Sequence, residues 1–247
     1  SSFETKFNKF NNEILIFMRH FDFKYFKYPK KAKNKIIRER KKIANSRDIL
    51  VKLKASELNY DYYDGKRIYG YGGFKYDERW KRFLPLIIKK YKLGKNSKVL
   101  DIGCKKGFFL KDLKDMVPGI KVFGVEDHKY PINKSLSSIR KNIKFVNRYY
   151  ELNYKKNFFD FVIAHNSIYK YNLIDLMKTL RVIQKIGKKS HITIPVYRNE
   201  KERILFDKFT LLATVVLPKK DWLRFFKYVG YKGDYYFSGA KSLGLTK

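Results

Sequence analysis

The stretch Val99-Leu100-Asp101-Ile102-Gly103-Cys104-Lys105-Lys106-Gly107-Phe108-Phe109-Leu110 constrains this chain more than any other. A short apolar run gives a strand, glycines punctuate the turn after it, and Leu110, Leu113 and Met116 continue an apolar helical face. In an open α/β sheet, such a turn points backbone N–H groups at whatever lies beyond the strand ends. Glycine suits that place because a Cβ would hold a ligand away from the backbone. Glycine turns after strands are common, so the rest of the chain has to decide what this one is for.

From this strand onward the chain alternates between strands and helices. Strand 98–102 leads to helix 106–116, strand 121–126 to helix 132–141, and strand 144–147 comes next. Strand 159–165 leads to helix 173–186, then come strand 190–196, helix 220–229 ending at Gly230, and strand 234–237. Units of this length predict a parallel sheet covered by helices, an α/β fold. Before it, residues 79–91 predict one amphipathic helix. Residues 1–58 carry apolar residues at helical spacing (Phe3, Phe7, Phe10, Ile14, Phe17, then Ile36, Ile37, Ile43), with Pro29 separating two helices. The expected organisation is a basic helical extension over 1–58, a glycine- and aromatic-rich lid with a lead-in helix over 59–96, and the α/β domain over 97–247.

Charge bears on partners. The 57 lysines and arginines against 23 acids give +34, and residues 1–98 hold 27 basic and 10 acidic residues. A positive field of this size attracts nucleic acid and other polyanions. The competing reading is codon bias toward Lys, Asn, Ile, Tyr and Phe; 44 lysines against 13 arginines fit it, because arginine is the preferred bidentate phosphate ligand. The basic run from Lys30 through Lys42 is a solvated helical face or a phosphate-tracking one. A single cysteine, Cys104, excludes an intramolecular disulfide, and His20, His128, His165 and His191 are too scattered to show metal spacing. No apolar run reaches the roughly 18 residues of a membrane span. The expected location is cytoplasmic, or the mitochondrial matrix if the partner is organellar RNA.

Two further features carry chemistry. The second strand ends in Phe123-Gly124-Val125-Glu126, which places a carboxylate where ribose hydroxyls would sit above a sheet. Three glycines among Gly70-Tyr71-Gly72-Gly73, with Tyr69, Phe74, Tyr76, Arg79 and Trp80 around them, make a loop able to lie close against another surface.

Val-Leu-Asp-Ile-Gly-Cys-x-x-Gly followed by Gly-Val-Glu resembles the class I S-adenosylmethionine-dependent methyltransferases. The likeness continues through Phe159-Asp-Phe-Val-Ile-Ala164 and Trp222-x-x-x-Phe226-x-x-x-Gly230-Tyr231. A narrower likeness, in Gly70–Trp80, Tyr197-Arg-Asn-Glu200 and Gly230–Tyr235, is to bacterial methyltransferases of sugar or surface-glycan modification. The resemblance implies a Rossmann-like methyltransferase fold with S-adenosylmethionine as cofactor. Asp101, Gly103, Cys104 and Gly107 would shape the cofactor loop, with Asp101 near the methionine amino group. Glu126 would hold the ribose, Tyr149 or Arg148 would flank the adenine, and Tyr71, Gly72 and Arg79 would close over the cofactor. His165 and Asn166 would line the cleft, His165 as the base for a hydroxyl acceptor or simply as a packed strand-end residue. Two positions depart from the family pattern: Lys105 replaces the middle glycine of the turn, turned over the cofactor or out to solvent, and no acid stands near Asn147–Arg148. The expected activity is methyl transfer to a small, hydroxyl-bearing, sugar-linked acceptor. The alternative is a degenerate, RNA-bound homologue, for example in an organellar ribosome, or an RNA methyltransferase.

Overall fold

The structure, a computed structural model, describes residues 18–25, 30–72 and 74–246. The expected stripe Phe3–Phe17, the break at Pro29 and the lid residue Gly73 lie outside the described residues. In chain order the elements are α1 (Lys30–Ala44), α2 (Ile49–Ser56), α3 (Tyr60–Tyr63), α4 (Leu84–Tyr91), β1 (Lys98–Ile102), α5 (Phe108–Met116), β2 (Lys121–Glu126), α6 (Lys129–Asn133), α7 (Ser137–Arg140), β3 (Ile143–Phe145), β4 (Phe161–Ala164), α8 (Leu173–Ile186), β5 (Ser190–Tyr197), α9 (Glu200–Phe209), β6 (Leu217–Pro218), α10 (Lys219–Val229) and β7 (Asp234–Ser238).

The strands form one sheet in the order β3-β2-β1-β4-β5-β6, with β7 also paired to β5, and every pairing among these strands is parallel. A parallel sheet needs both faces covered, and β1 shows it: Val99, Leu100 and Ile102 are fully buried. One face packs Leu100, Val162, Ile192, Leu180, Trp222 and Phe226 beneath α8 and α10; the other packs Val99, Phe161, Leu84, Ile87, Leu110 and Leu113 beneath α4 and α5. Each fully buried side chain of this size contributes about 1.5–3 kcal/mol of transfer free energy. Strand order reverses between β1 and β4, and in open α/β sheets ligands bind outside the strand ends at such a switch.

Local chemistry sets the element ends. Asn172 caps α8 by accepting from the Asp175 N–H, and Leu176, Leu180 and Ile183 repeat at helical spacing on its buried side. Gly230 ends α10 in the left-handed conformation. The helix expected over 79–91 is divided into a 3-10 turn, Arg79–Arg82, followed by α4. Pro85 explains the break, because its ring clashes with the carbonyl four residues back unless it sits in the first turn. The helix expected over 132–141 is likewise two short pieces, where the Ser135 hydroxyl bonds the Ile132 carbonyl instead of leaving it to the helix ladder. Helix α9, capped by Asn199, was not anticipated.

The basic N-terminal part packs closely on the rest. Ala44 of α1 shares a cluster with Phe206 and Phe209 of α9 and with Ala240, Leu243 and Leu245. Ala55, Leu58, Tyr62 and Tyr63 pack against Leu211. Between these clusters the buried Arg47 guanidinium donates to the carbonyls of Ile68 (3.0 Å), Gly70 (2.6 Å) and Phe209. Burial pushes its pKa down to about 10. This one side chain ties the lid to the end of α9.

Candidate active site at the end of strands one and four

The turn after β1 has the shape its glycines predict. Gly103 (φ +70°) and Gly107 (φ +75°) are left-handed, and a Cβ on Gly103 would lie 2.2 Å from the Ser167 Cβ. Lys105 (φ +53°) and Asn166 (φ +48°) adopt the same conformation without being glycine, on the two loops that face each other across the switch point.

A cavity of about 200 Å³ opens there. Asp101, Gly103, Cys104, Lys105, His165 and Asn166 form its floor, and the lid residues Tyr71, Gly72, Phe74, Arg79 and Trp80 its wall. Asp101 is only 6% exposed, and its carboxylate receives no hydrogen bond among the described residues. Burial pushes its pKa up to about 7 against the pull of Lys105. A buried, unpartnered carboxylate aimed into a cavity fits a cationic ligand group.

Glu126 lies behind this cavity. It is 1% exposed and accepts from the Lys105 N–H (2.8 Å), the Asp127 N–H (3.0 Å) and the Tyr149 hydroxyl (3.3 Å). Burial raises it to about 7, opposed by Lys170. Burial would raise Asp127 as well, but His128 and Lys170 outweigh it and hold that carboxyl well below its ordinary value. The Lys170 ammonium is 2.5 Å from Asp127, and the Tyr149 and Tyr171 hydroxyls are each 3.0 Å away. Glu126, Asp127 and His128 bring three ligand atoms within 4.8 Å of one another, a grouping the scattered histidines gave no hint of. Lys170 takes the cation's role there. The hollow beside Glu126 measures about 20 Å³, room for about one water molecule.

His165 stands at the end of β4 in an aromatic cage. Its ring centroid is 4.3 Å from Tyr25, 5.1 Å from Trp80 and 5.3 Å from Phe23. Nδ1 lies 2.9 Å from the Thr193 hydroxyl and Nε2 3.0 Å from the Asn166 amide nitrogen. With that amide donating, Nε2 accepts and Nδ1 carries the proton toward Thr193. Burial, Lys105 and His191 drive the pKa well below 6.5, so the ring is neutral at physiological pH.

Of the residues expected from the sequence, Asp101, Gly103, Cys104, Tyr71, Gly72, Arg79, His165 and Asn166 meet in the one cavity, while Glu126 and Tyr149 line the small hollow with Gly103, Lys105 and Asn166. Three of the expected residues also have structural partners. Gly107 faces away from the cavity: a Cβ there would meet Ile143 (2.8 Å) and Ile139 (3.1 Å), so it serves helix packing. Tyr149 is fully buried and holds Glu126 and Asp127 through its hydroxyl. Arg79 is held by Asp77, 2.5 Å away, and walls the cavity in that pairing. Sequence reasoning missed Lys170 and the ties from lid to turn: Lys106 to Asp64 (2.5 Å), and Asp112 accepting from the Tyr76 hydroxyl and the Trp80 N–H.

A parallel sheet with a glycine turn, a strand-end carboxylate and a cavity at its switch point defines a Rossmann-like cofactor-binding fold. The family model described as a methyltransferase domain matches residues 93–230. The chain therefore belongs to the methyltransferase domain family, the class I Rossmann-like group whose cofactor is S-adenosylmethionine.

Similar solved structures include a protein from an antibiotic biosynthesis pathway of Anabaena variabilis, named only provisionally as a methyltransferase (22% identity, 43% of this chain and 41% of that one, TM-score 0.37). Two others are the PH0226 protein of Pyrococcus horikoshii (25%, 55% and 61%, 0.41) and PKMT2 of Rickettsia typhi in complex with AdoHcy (25%, 38% and 19%, 0.34). The chain thus spans less than two thirds of the length of these three proteins. No curated protein matches it in sequence.

The residues suit the family's cofactor at both ends. Asp101 offers the charge an ammonium group requires and Glu126 the acceptor oxygens that ribose hydroxyls require, and Lys105 lines both hollows.

Proposed function

We propose that the chain is an S-adenosylmethionine-dependent methyltransferase acting on a small, hydroxyl-bearing acceptor held in the aromatic cavity beside His165. The observation that carries this reading is the Asp101 carboxylate, without a hydrogen bond among the described residues and lining a cavity that also contains His165. The bound cofactor supplies a sulfonium methyl group open to in-line displacement. The chain's own residues do the rest. Asp101 holds the ammonium, Glu126 accepts from the ribose, and the lid from Tyr71 to Trp80 excludes water and aligns the acceptor. His165 Nε2 exchanges its bond from Asn166 for one from the acceptor hydroxyl and takes that proton, while Thr193 fixes the tautomer. The sugar-linked character of the acceptor rests on the narrower sequence likeness.

Calorimetry with S-adenosylhomocysteine tests the reading. Binding is expected, weakened at least tenfold by Asp101→Ala. Equal binding by that variant, or none by any form of the protein at millimolar ligand, overturns it.

A polyanionic partner is the second reading, favoured by Lys33, Lys35, Arg38, Lys41 and Lys42, all exposed on α1 and without an ion pair among the described residues. RNA binding that falls steeply with salt would support it, and negligible binding at low salt would remove it.

A further inference from the structure

The Lys105 ammonium is 3.2 Å from the Asn166 carbonyl, so its side chain spans from the turn after β1 to the loop after β4. That span crosses the place where the two hollows adjoin. Tyr62, Gly103, Lys105, Asn166 and Tyr169 line both the 200 Å³ cavity and the 20 Å³ hollow, while Asp101 lines only the first and Glu126 only the second. A cofactor held at once by Asp101 and Glu126 would reach into both hollows, and among the residues that line both only Lys105 is charged.

Charge gives the side chain a reason to be there. Asp101 and Glu126 are nearly buried carboxylates that both act on the Lys105 ammonium, and a buried carboxylate is costly unless a cation accompanies it. Both ends of the bridge are strained, since Lys105 and Asn166 hold left-handed backbones that side-chain-bearing residues rarely adopt. Neither Lys106 nor Lys170 can take over the role, because each is paired at 2.5 Å with another acid, Asp64 and Asp127.

We propose that Lys105 is a tethered plug: in the free protein its ammonium stands in for the ligand's positive charge and closes the passage between the Asp101 cavity and the Glu126 hollow, and it must leave Asn166 before the cofactor can engage both carboxylates. The inference rests on the methyltransferase reading and adds an affinity-setting residue to it.

The test is calorimetric titration of S-adenosylhomocysteine into the wild type, Lys105→Gly and Lys105→Met, with a thermal melt of each free protein. Glycine suits a φ of +53°, which offsets part of the loss of the cation beside Asp101 and Glu126, so Lys105→Gly should melt only modestly below the wild type. It should bind at least tenfold more tightly. Lys105→Met, which keeps the stem and loses the tether, should fall between the two and covers the case in which the glycine variant folds poorly. If both variants bind no more tightly than the wild type, the plug is overturned and the methyltransferase reading stands. If none of the three binds at millimolar ligand, the methyltransferase reading fails and the plug with it.

Discussion

Replacing Arg47 is the sharpest test of how the lid is held. Its guanidinium is 5% exposed, has no carboxylate partner among the described residues, and is stacked 5.1 Å from the Tyr71 ring and 4.9 Å from the Phe209 ring. Gly70 keeps a second donor in Arg67, but Ile68 and Phe209 depend on Arg47 alone for the bonds described. Each orphaned carbonyl costs about 1–3 kcal/mol, and the lost ring contacts add about 0.5–1 kcal/mol each. Against this, a desolvated cation is removed, which lowers the net. A loss of about 3 kcal/mol results, and at about 2–4 °C per kcal/mol for a chain of this size the melting temperature falls by about 6–12 °C. Arg47→Met keeps most of the volume and should lose nearly as much as Arg47→Ala, because the bonds rather than the packing dominate. Arg47→Lys should recover only part, since one ammonium cannot reproduce the fork. Calorimetric melts of the free protein measure all three. If Arg47→Met melts within 2 °C of the wild type, the lid is not held this way.

Three further predictions concern charge. Asp101 has a folded pKa of about 7 against an unfolded 3.8, so its contribution to stability is present below 3.8 and is lost as pH rises through 7. Asp101→Asn should therefore be more stable than the wild type at pH 8, by up to about 4 kcal/mol, with the difference shrinking toward pH 4; a pH-independent difference in urea melts would refute this. His191 shifts the other way, to about 4, mainly through burial, so its contribution is present above 6.5 and is lost as pH falls through 4. His191→Gln should flatten the acid limb of the stability curve by up to about 3 kcal/mol, and an unchanged limb would exclude His191 as its cause. For the Lys106–Asp64 pair, Asp64→Asn should cost about 3 kcal/mol because it strands the nearly buried ammonium, whereas Lys106→Met should cost less because Asp64 is more exposed and keeps the Tyr130 hydroxyl. Equal losses in thermal melts would contradict that asymmetry.

The sheet was legible in the sequence because its strands are apolar runs, several of them next to glycine turns, and α8 has a cap and an apolar stripe. Helix α9 carries such signals too, in Asn199 at its cap, Glu200 and Glu202 in its first turn, and Leu205, Phe206 and Phe209 farther on. β6 is two residues long and has no period to detect. The candidate site was legible at the strand ends, in Asp101, Gly103, Glu126 and His165, and in the glycine- and aromatic-rich lid of Tyr71, Gly72 and Arg79, whereas Phe23 and Tyr25 reach His165 from more than a hundred residues away. Lys106 and Lys170 were illegible for another reason. In a chain with 44 lysines, no local pattern separates these two from those that face water, whereas Lys105 stands out because it replaces a glycine of the turn.

The same contrast separates the two readings of function. The site's charges are set by neighbours a few ångströms apart and largely out of water, where salt screens weakly; the exposed cations of α1 act through solvent, where a Debye length of about 8 Å at physiological salt cuts their reach. The excess of +34 therefore has little hold on the chemistry at Asp101 and His165, but it can gather a polyanion on the outside. Ionic strength should pull the two apart. Cofactor binding at Asp101 should change little between 50 and 500 mM salt, roughly the range over which surface pairs are lost. RNA binding, if the α1 face supports it, should fall by orders of magnitude over the same range. A cofactor affinity that drops in parallel with RNA affinity would mean that both depend on the exposed lysines, and that the buried carboxylates do not define the site.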